Sequence, residues 1–236
     1  MVVPTLNERA TVATLLRQLD DCLEVQPFTS EIVVVDDNSP DGTADAVSAT
    51  EMLVKTRVVV RKGEKGLASA VMRGFDEARG RVCVVMDADG SHPVQAVPKI
   101  IEPVLSGGAE MAIASRYVPG GGIENWRPRR RILSLGATLV TKPLTHGKDV
   151  RDPMSGFFAI DKRILGRAKV NPIGYKIGFE ILVRCNPRPV VEVPYQFQDR
   201  KGGESKLGPR QVADYVVHMG QLYCYTYLGR ASGQSA

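Results

Sequence analysis

Up to Ser115 the chain alternates short runs of apolar, mostly β-branched residues with stretches in which apolar residues recur every three or four positions. Val2 to Pro4 reads as a short strand, and behind it Val12, Leu15, Leu16, Leu19 and Leu23 fall on one face of a helix. The alternation continues through the strand EIVVVDD (31–37), a helix from Thr43 to about Ala49, the strand RVVVR (57–61) and a helix from Leu67 to Ala78. The strand VCVVMDADG (82–90), a helix from Gln95 to Leu105 and the strand MAIAS (111–115) follow. Apolar runs without an exposed face, separated by amphipathic helices, predict a mostly parallel sheet covered on both sides. Such sheets bind ligands beyond the carboxyl ends of their strands.

That rule collects polar residues from distant parts of the chain onto one edge. The first strand ends at Pro4, Thr5, Leu6, Asn7 and Glu8, the second at Asp36, Asp37, Asn38 and Ser39, the fourth at Asp87 and Asp89, and the fifth at Ser115 and Arg116. Side chains on a strand alternate, so Asp87 and Asp89 leave it on the same side. A hard divalent cation takes oxygen ligands at that spacing and completes its shell with phosphate oxygens. For one tripeptide a polar turn explains as much; four polar strand ends on one edge favour a site. Within DDNSPDGT (36–43), Asn38, Pro40 and Gly42 carry turn chemistry, which leaves Asp37 as the carboxylate suited to a base edge or ribose hydroxyls. RKGEKGLASA (61–70) matches no phosphate-loop pattern; Lys65 and Gly66 either approach a base and ribose or cap the helix behind them.

Charge narrows the ligand. The net charge is +5, but between Arg116 and Arg151 eight Lys or Arg face only Glu124 and Asp149, so the rest of the chain is close to neutral. A positive segment of that density calls for an anionic partner. No nucleic-acid-binding motif accompanies it, so a phosphate on a small or lipid ligand is expected and nucleic acid is not. The four cysteines have no paired spacing, which excludes a zinc motif or disulfide scaffold and fits a reducing environment. No apolar stretch reaches the roughly 17–25 residues that span a bilayer, so neither a signal peptide nor a membrane span is expected. With 236 residues and 43% hydrophobic content, a full core can form. The expected division is a main domain over 1–210 and a C-terminal amphipathic helix and tail over 211–236. In that helix Val212, Val216, Met219 and Tyr223 fall at helical spacing, and four of the seven tyrosines lie there, which reads either as an interfacial helix or as one packed on the core.

The ordered set VVPTLNE, VVVDDNSPDGT, KGLASAVMRGF, VVMDADGSHP, ASRYVPGG, ENWRPRRRILSLGA, DPMSGFFA and VPYQFQDRKGGESKL covers nearly the whole chain. It resembles the dolichyl-phosphate mannosyltransferases among the inverting family 2 glycosyltransferases. The resemblance implies an α/β nucleotide-sugar-binding fold of GT-A type with a mixed, mostly parallel sheet and helices on both faces. It implies GDP-mannose as donor, Mg²⁺ or Mn²⁺ as cofactor, and dolichyl or another polyprenyl phosphate as acceptor. It further implies a peripheral enzyme at the cytosolic face of a membrane, with small membrane-embedded partner subunits in some members. Carried over by position, Pro4, Glu8, Asp36 and Asp37 would hold the guanosine, and Asp87 and Asp89 the metal that bridges the diphosphate. Arg116, Arg130 and Ser134 would hold the acceptor phosphate with Arg200, while Asp152 and Ser155 would face the mannose. Leu6 stands where relatives often have Tyr, and Ser91 where some place a Gln metal ligand. The alternative is a UDP-glucose enzyme using the same lipid phosphate; against a non-catalytic nucleotide-sugar-binding subunit stand the intact Asp87 and Asp89. A sugar-phosphate nucleotidyltransferase would need a Gly-rich loop near the N-terminus that this sequence lacks.

Overall fold

Strands that are apolar at every position must be buried on both faces. In the computed structural model, which describes residues 1–123, 136, 138–170, 173–198 and 209–229, they are. The described strands are β1 (Val2–Thr5), β2 (Glu31–Asp36), β3 (Lys55–Val60), β4 (Val82–Val85), β5 (Met111–Ser115), β6 (Gly122–Ile123), β7 (Phe158–Asp161), β8 (Val190–Pro194) and β9 (Gln196–Phe197). The described α-helices are α1 (Arg9–Glu24), α2 (Thr43–Ser48), α3 (Leu67–Glu77), α4 (Val97–Leu105), α5 (Ile177–Arg184) and α6 (Pro209–Tyr227). Seven strands form one sheet in the order β3-β2-β1-β4-β7-β5-β8, and β6 pairs with β9 beside it.

Neighbouring residues of one strand enter opposite cores. Val3, Val34, Val84 and Met86 pack with Leu16, Leu19 and Ile100 of α1 and α4. Val2, Cys83, Val85 and Phe158 pack on the other face with Phe75, Phe179 and Leu182 of α3 and α5. Full burial of such a side chain contributes about 1.5–3 kcal/mol, which is why these runs settle as central strands. Helix α3 crosses β1 so closely that a Cβ on Gly74 would lie 2.2 Å from Val2 Cγ1.

The sheet is α/β, mixed and mostly parallel, with helices on both faces, as expected. Its one reversed strand is β7, antiparallel to both β4 and β5, which the apolar pattern did not single out. Register pairs Phe158, the first residue of β7, with both Val85 and Ile113. The segment preceding β7 therefore emerges at the same edge as the carboxyl ends of β1, β2, β4 and β5. The parallel pairing of β8 with β5 brings Pro194 to that edge as well.

Helix α6 is seated on the sheet domain, and of the stripe read in the sequence Met219 turns inward while Val216 turns outward. His218, Met219, Leu222 and Thr226 are buried, whereas Val216 is 62% exposed and Tyr223 only partly covered. Polar partners decide the rotation: His218 Nε2 lies 3.0 Å from the fully buried Glu180 Oε2, and the Arg184 guanidinium lies 4.5 Å from the centre of the Tyr225 ring. The side chain of Val212 lies outside the described residues.

Candidate active site

At the ends of β1 and β2 the carboxylates are engaged by the protein itself. Asp36 is fully buried and accepts hydrogen bonds from Thr5 Oγ1 (2.9 Å), Ser39 Oγ (2.6 Å) and the Ser39 amide (2.8 Å). It thereby ties the two strand ends together. Asp37 accepts from Arg61 Nε at 2.8 Å, from Arg61 Nη2, and from the Gly66 amide at 2.7 Å. Arg61 is buried too; its Nη1 donates to Ser69 Oγ (2.9 Å), and its Nη2 also donates to the Gly66 carbonyl (3.0 Å). One ion pair thus fixes the 61–66 loop over the edge. Pro4 is buried in β1, Leu6 is 37% exposed at the opening, and Glu8 accepts a hydrogen bond from Thr11 Oγ1 at 3.0 Å.

Asp87 and Asp89 follow β4. Asp89 is buried and accepts the Ser91 amide at 3.0 Å, while Asp87 is half-buried. His92 is a structural neighbour: its Nδ1 accepts the Asp87 amide at 3.4 Å, and its ring stacks on Phe157 with centroids 4.9 Å apart. Gly156 backs the pair from the segment before β7, where a Cβ would come within 3.5 Å of Asp87 Oδ2. Among the described residues no group of three or more His, Cys, Asp or Glu is placed to cage a metal. Two carboxylates are a donor set that fits Mg²⁺ or Mn²⁺, both hard cations that take oxygen ligands and keep several non-protein ones.

Beside this pair lies a second ionic cluster. Arg116, just past β5, grips the fully buried Asp152 with Nε at 2.7 Å and Nη2 at 2.7 Å, and its own amide adds a third bond at 3.0 Å. Burial works against the guanidinium's charge, yet Asp152 more than offsets it and holds the Arg116 pKa above its ordinary value. Glu192 of β8 accepts the amides of Arg151 (2.8 Å) and Asp152 (2.9 Å) and so positions the loop. Ser155 Oγ and the Phe157 amide are 3.3 Å apart, which closes that loop into β7. Lys176 sits just before α5, with Nζ donating to the Met154 carbonyl at 2.9 Å. Burial, then the nearby Arg116 charge, push its amine down to about 8 against the opposing pull of Asp152 and Asp87.

The structure therefore gathers Pro4, Glu8, Asp36, Asp37, Asp87, Asp89, Arg116, Asp152 and Ser155 on one sheet edge. Arg130, Ser134 and Arg200 lie outside the described residues. The Gln198 amide donates to the Ser91 carbonyl at 3.1 Å, so the chain reaches the acidic loop two residues before Arg200. Sequence reasoning passed over Arg61, Lys176 and Glu192. Arg61 closes the predicted strand RVVVR, so the strand-end rule could have found it; a single Lys before an apolar helix gave no signal.

Residues 1–172 match the family model for glycosyl transferase family 2. The chain is 44% identical over 223 residues to a dolichol-phosphate mannosyltransferase of Pyrococcus furiosus, covering 94% of this chain and 62% of that protein's length. It is 35% identical to a Saccharomyces cerevisiae protein of the same name, over 96% of this chain and 87% of that one. It is 33% identical to a polyprenol monophosphomannose synthase of Mycolicibacterium smegmatis, over 99% of this chain and 89% of that one. Among solved structures, mannosyl-3-phosphoglycerate synthase from Rubrobacter xylanophilus superposes with a TM-score of 0.71 at 20% identity, covering 100% of this chain and 76% of that one. Glucosyl-3-phosphoglycerate synthase from Mycobacterium tuberculosis, solved with Mn²⁺, UDP-glucose and phosphoglyceric acid, superposes at 0.68 and 20% identity, over 93% and 78% of the two chains. By family model and by relatives matched over most of their length, the chain belongs to glycosyl transferase family 2, alongside the relatives named dolichol-phosphate mannosyltransferases.

Proposed function

We propose that this protein transfers mannose from GDP-mannose to the phosphate of dolichyl or another polyprenyl phosphate, with inversion at the anomeric carbon. The observation that carries the reading is the juxtaposition, on one sheet edge, of the acidic pair Asp87 and Asp89 with the Arg116–Asp152 pair and Lys176. The names of the relatives support the sugar and the acceptor. The acceptor's phosphate oxygen attacks C1 of the mannose, the new C1–O bond forms, and the bond from C1 to the GDP β-phosphate oxygen breaks. A phosphate monoester is already anionic at neutral pH, so no side chain has to remove a proton from the nucleophile.

The role of the residues follows from what each step needs. Asp87 and Asp89 would hold Mg²⁺ or Mn²⁺, whose charge neutralises the departing diphosphate. Arg116, which Asp152 orients, is assigned to the acceptor phosphate. Arg130, Ser134 and Arg200 are assigned to the acceptor phosphate, for which arginine's two parallel N–H donors are suited. Pro4, Glu8, Asp36 and Asp37 are assigned to the guanosine end, and Ser155 to the mannose side. Asp36 and Asp37 each already accept three hydrogen bonds, which leaves a carboxylate little further capacity. Their larger contribution is to shape the loops that meet the nucleoside.

The acceptor's lipid tail places the work at a membrane. The outward side of α6 exposes Val216, Val217, Tyr227 and Leu228, and Leu139 and Val140 are exposed close by, where Tyr223 Oη donates to the Val140 carbonyl at 2.7 Å. Among the described residues no helix is long and apolar enough to cross a bilayer. This apolar face is assigned to peripheral contact with the cytosolic leaflet or with a small membrane-embedded subunit. The reading is tested by incubating the protein and Mg²⁺ or Mn²⁺ with a short polyprenyl phosphate and, separately, labelled GDP-mannose or UDP-glucose. Label entering the organic phase from GDP-mannose alone is expected. Label from UDP-glucose instead would move the assignment to a glucosyltransferase.

A further inference from the structure

Val191 and Val193 of β8 pack against one core and Val190 against the other, so the alternation of the strand calls for a further apolar side chain at position 192. The chain has Glu192 there, and a carboxylate set into an apolar pattern is expected where function has overridden packing. Both of its oxygens are used: Oε2 accepts the Arg151 amide at 2.8 Å and Oε1 the Asp152 amide at 2.9 Å. Two successive amides held by one carboxylate fix the direction of the backbone, which a single hydrogen bond would leave free to turn. The fully buried Asp152 carboxylate then takes three donors from one residue, the Nε, Nη2 and backbone amide of Arg116. Glu192 and Asp152 are thus two carboxylates in series, one holding backbone and the other holding a guanidinium. Both ends belong to the same strand pair: Glu192 lies opposite Ile113 of β5, and the Tyr195 amide donates at 3.2 Å to the carbonyl of Ser115, the residue before Arg116. The Arg116 guanidinium also lies 5.4 Å and 5.8 Å from the centres of the Tyr117 and Phe197 rings. A ring face attracts a cation without fixing its rotation; the two-point grip of a carboxylate on the planar guanidinium fixes it.

We propose that Glu192 is a positioning residue for the acceptor site, which clamps the 151–152 backbone so that Asp152 sets the place and the plane of the Arg116 guanidinium. This rests on the assignment of Arg116 to the acceptor's phosphate and adds the residue that holds it in register. A guanidinium grips phosphate by two parallel hydrogen bonds, so the affinity depends on the plane it presents. Glu192→Gln keeps the size of the side chain but puts an NH₂ where one backbone N–H needs an acceptor, so one bond is lost and two donors face each other. Glu192→Ala loses both bonds. Both variants are expected to fold, because Glu192 is half-buried on the last strand of the described sheet and Arg151 is exposed, so water reaches the freed Arg151 amide.

The test uses the whole chain, and its first readout needs no substrate. In protein carrying isotope-labelled arginine, the Nε–H resonance of Arg116, identified by its loss in Arg116→Lys, is expected to move and broaden in Glu192→Gln and further in Glu192→Ala. Titration calorimetry with farnesyl phosphate, a short polyprenyl phosphate, in the presence of Mn²⁺ and GDP should show about tenfold weaker binding to both Glu192 variants, with GDP affinity unchanged. In the Arg116→Lys background the same changes at position 192 should cost nothing further, since the residue they act through is gone. An Arg116 resonance unchanged in both Glu192 variants overturns the proposal, as does an equal fall in GDP affinity. So does a loss of farnesyl phosphate affinity that persists undiminished in the Arg116→Lys background, which would give Glu192 a route of its own. If the parent binds no farnesyl phosphate, or binds it and transfers no mannose, it is the proposed reaction that fails, and the Arg116 resonance still decides whether Glu192 positions that residue.

Discussion

Two acidic doublets, Asp36-Asp37 and Asp87-X-Asp89, end two parallel strands of the same sheet, and the fold uses them in opposite ways. The first doublet is turned inward: Thr5, Ser39, Arg61 and Gly66 donate to it, and it holds two loops in place. The second follows β4 at the edge, backed by a glycine, with a half-buried lysine and arginine close by and oxygen donors of the kind hard cations take. A carboxylate's chemistry is set by how many donors the protein already supplies. Alike in sequence, one pair ties two loops together, and the other is the pair to which the proposed mechanism assigns the metal.

The comparison can be broken most sharply at the second doublet. Asp89→Ala should lower the transfer rate by at least about a thousandfold, since the cation that would offset the diphosphate's charge loses one of its two carboxylate ligands. Its unfolding midpoint should stay close to the parent's. Activity near the parent's in this variant, or in the parent with excess chelator, would contradict the assignment. At the first doublet the larger effect should be on stability. Asp37→Ala strands the buried Arg61 guanidinium and is expected to cost about 3–5 kcal/mol in urea denaturation. Because the cost comes from the orphaned partner, Asp37→Ala combined with Arg61→Met should be more stable than Asp37→Ala alone. If the double variant is weaker still, the pair is not coupled and Asp37 acts otherwise.

Most of this arrangement was legible before any coordinates. Strands apolar on every position could only be central, and the carboxyl-edge rule then brought Pro4, Asp37, Asp87 and Arg116 together from segments more than a hundred residues apart. What stayed hidden depends on tertiary partners. Phe158–Asp161 is too short to announce that it runs antiparallel, yet that reversal delivers Asp152 and Ser155 to the same edge. Lys176 becomes a site residue only because α5 starts under the Met154 carbonyl. The sequence left open whether α6 packs on the core, because two of the residues that go inside, His218 and Thr226, are polar.

A smaller effect should appear far from both doublets. Val217→Glu together with Leu228→Glu places charge on the outward face of α6, and binding to anionic phospholipid vesicles should fall by about tenfold while transfer to a short acceptor in detergent is unchanged. Equal vesicle binding would remove this face from membrane contact.

The most direct test of the chemistry is the product's linkage. The mannolipid made by the parent protein from GDP-α-mannose and a short polyprenyl phosphate can be examined by proton and phosphorus NMR. The expected result is mannose joined through C1 to the lipid phosphate in the β configuration, as a single displacement by an anionic oxygen requires. An α linkage, or mannose attached anywhere other than the phosphate, would contradict it.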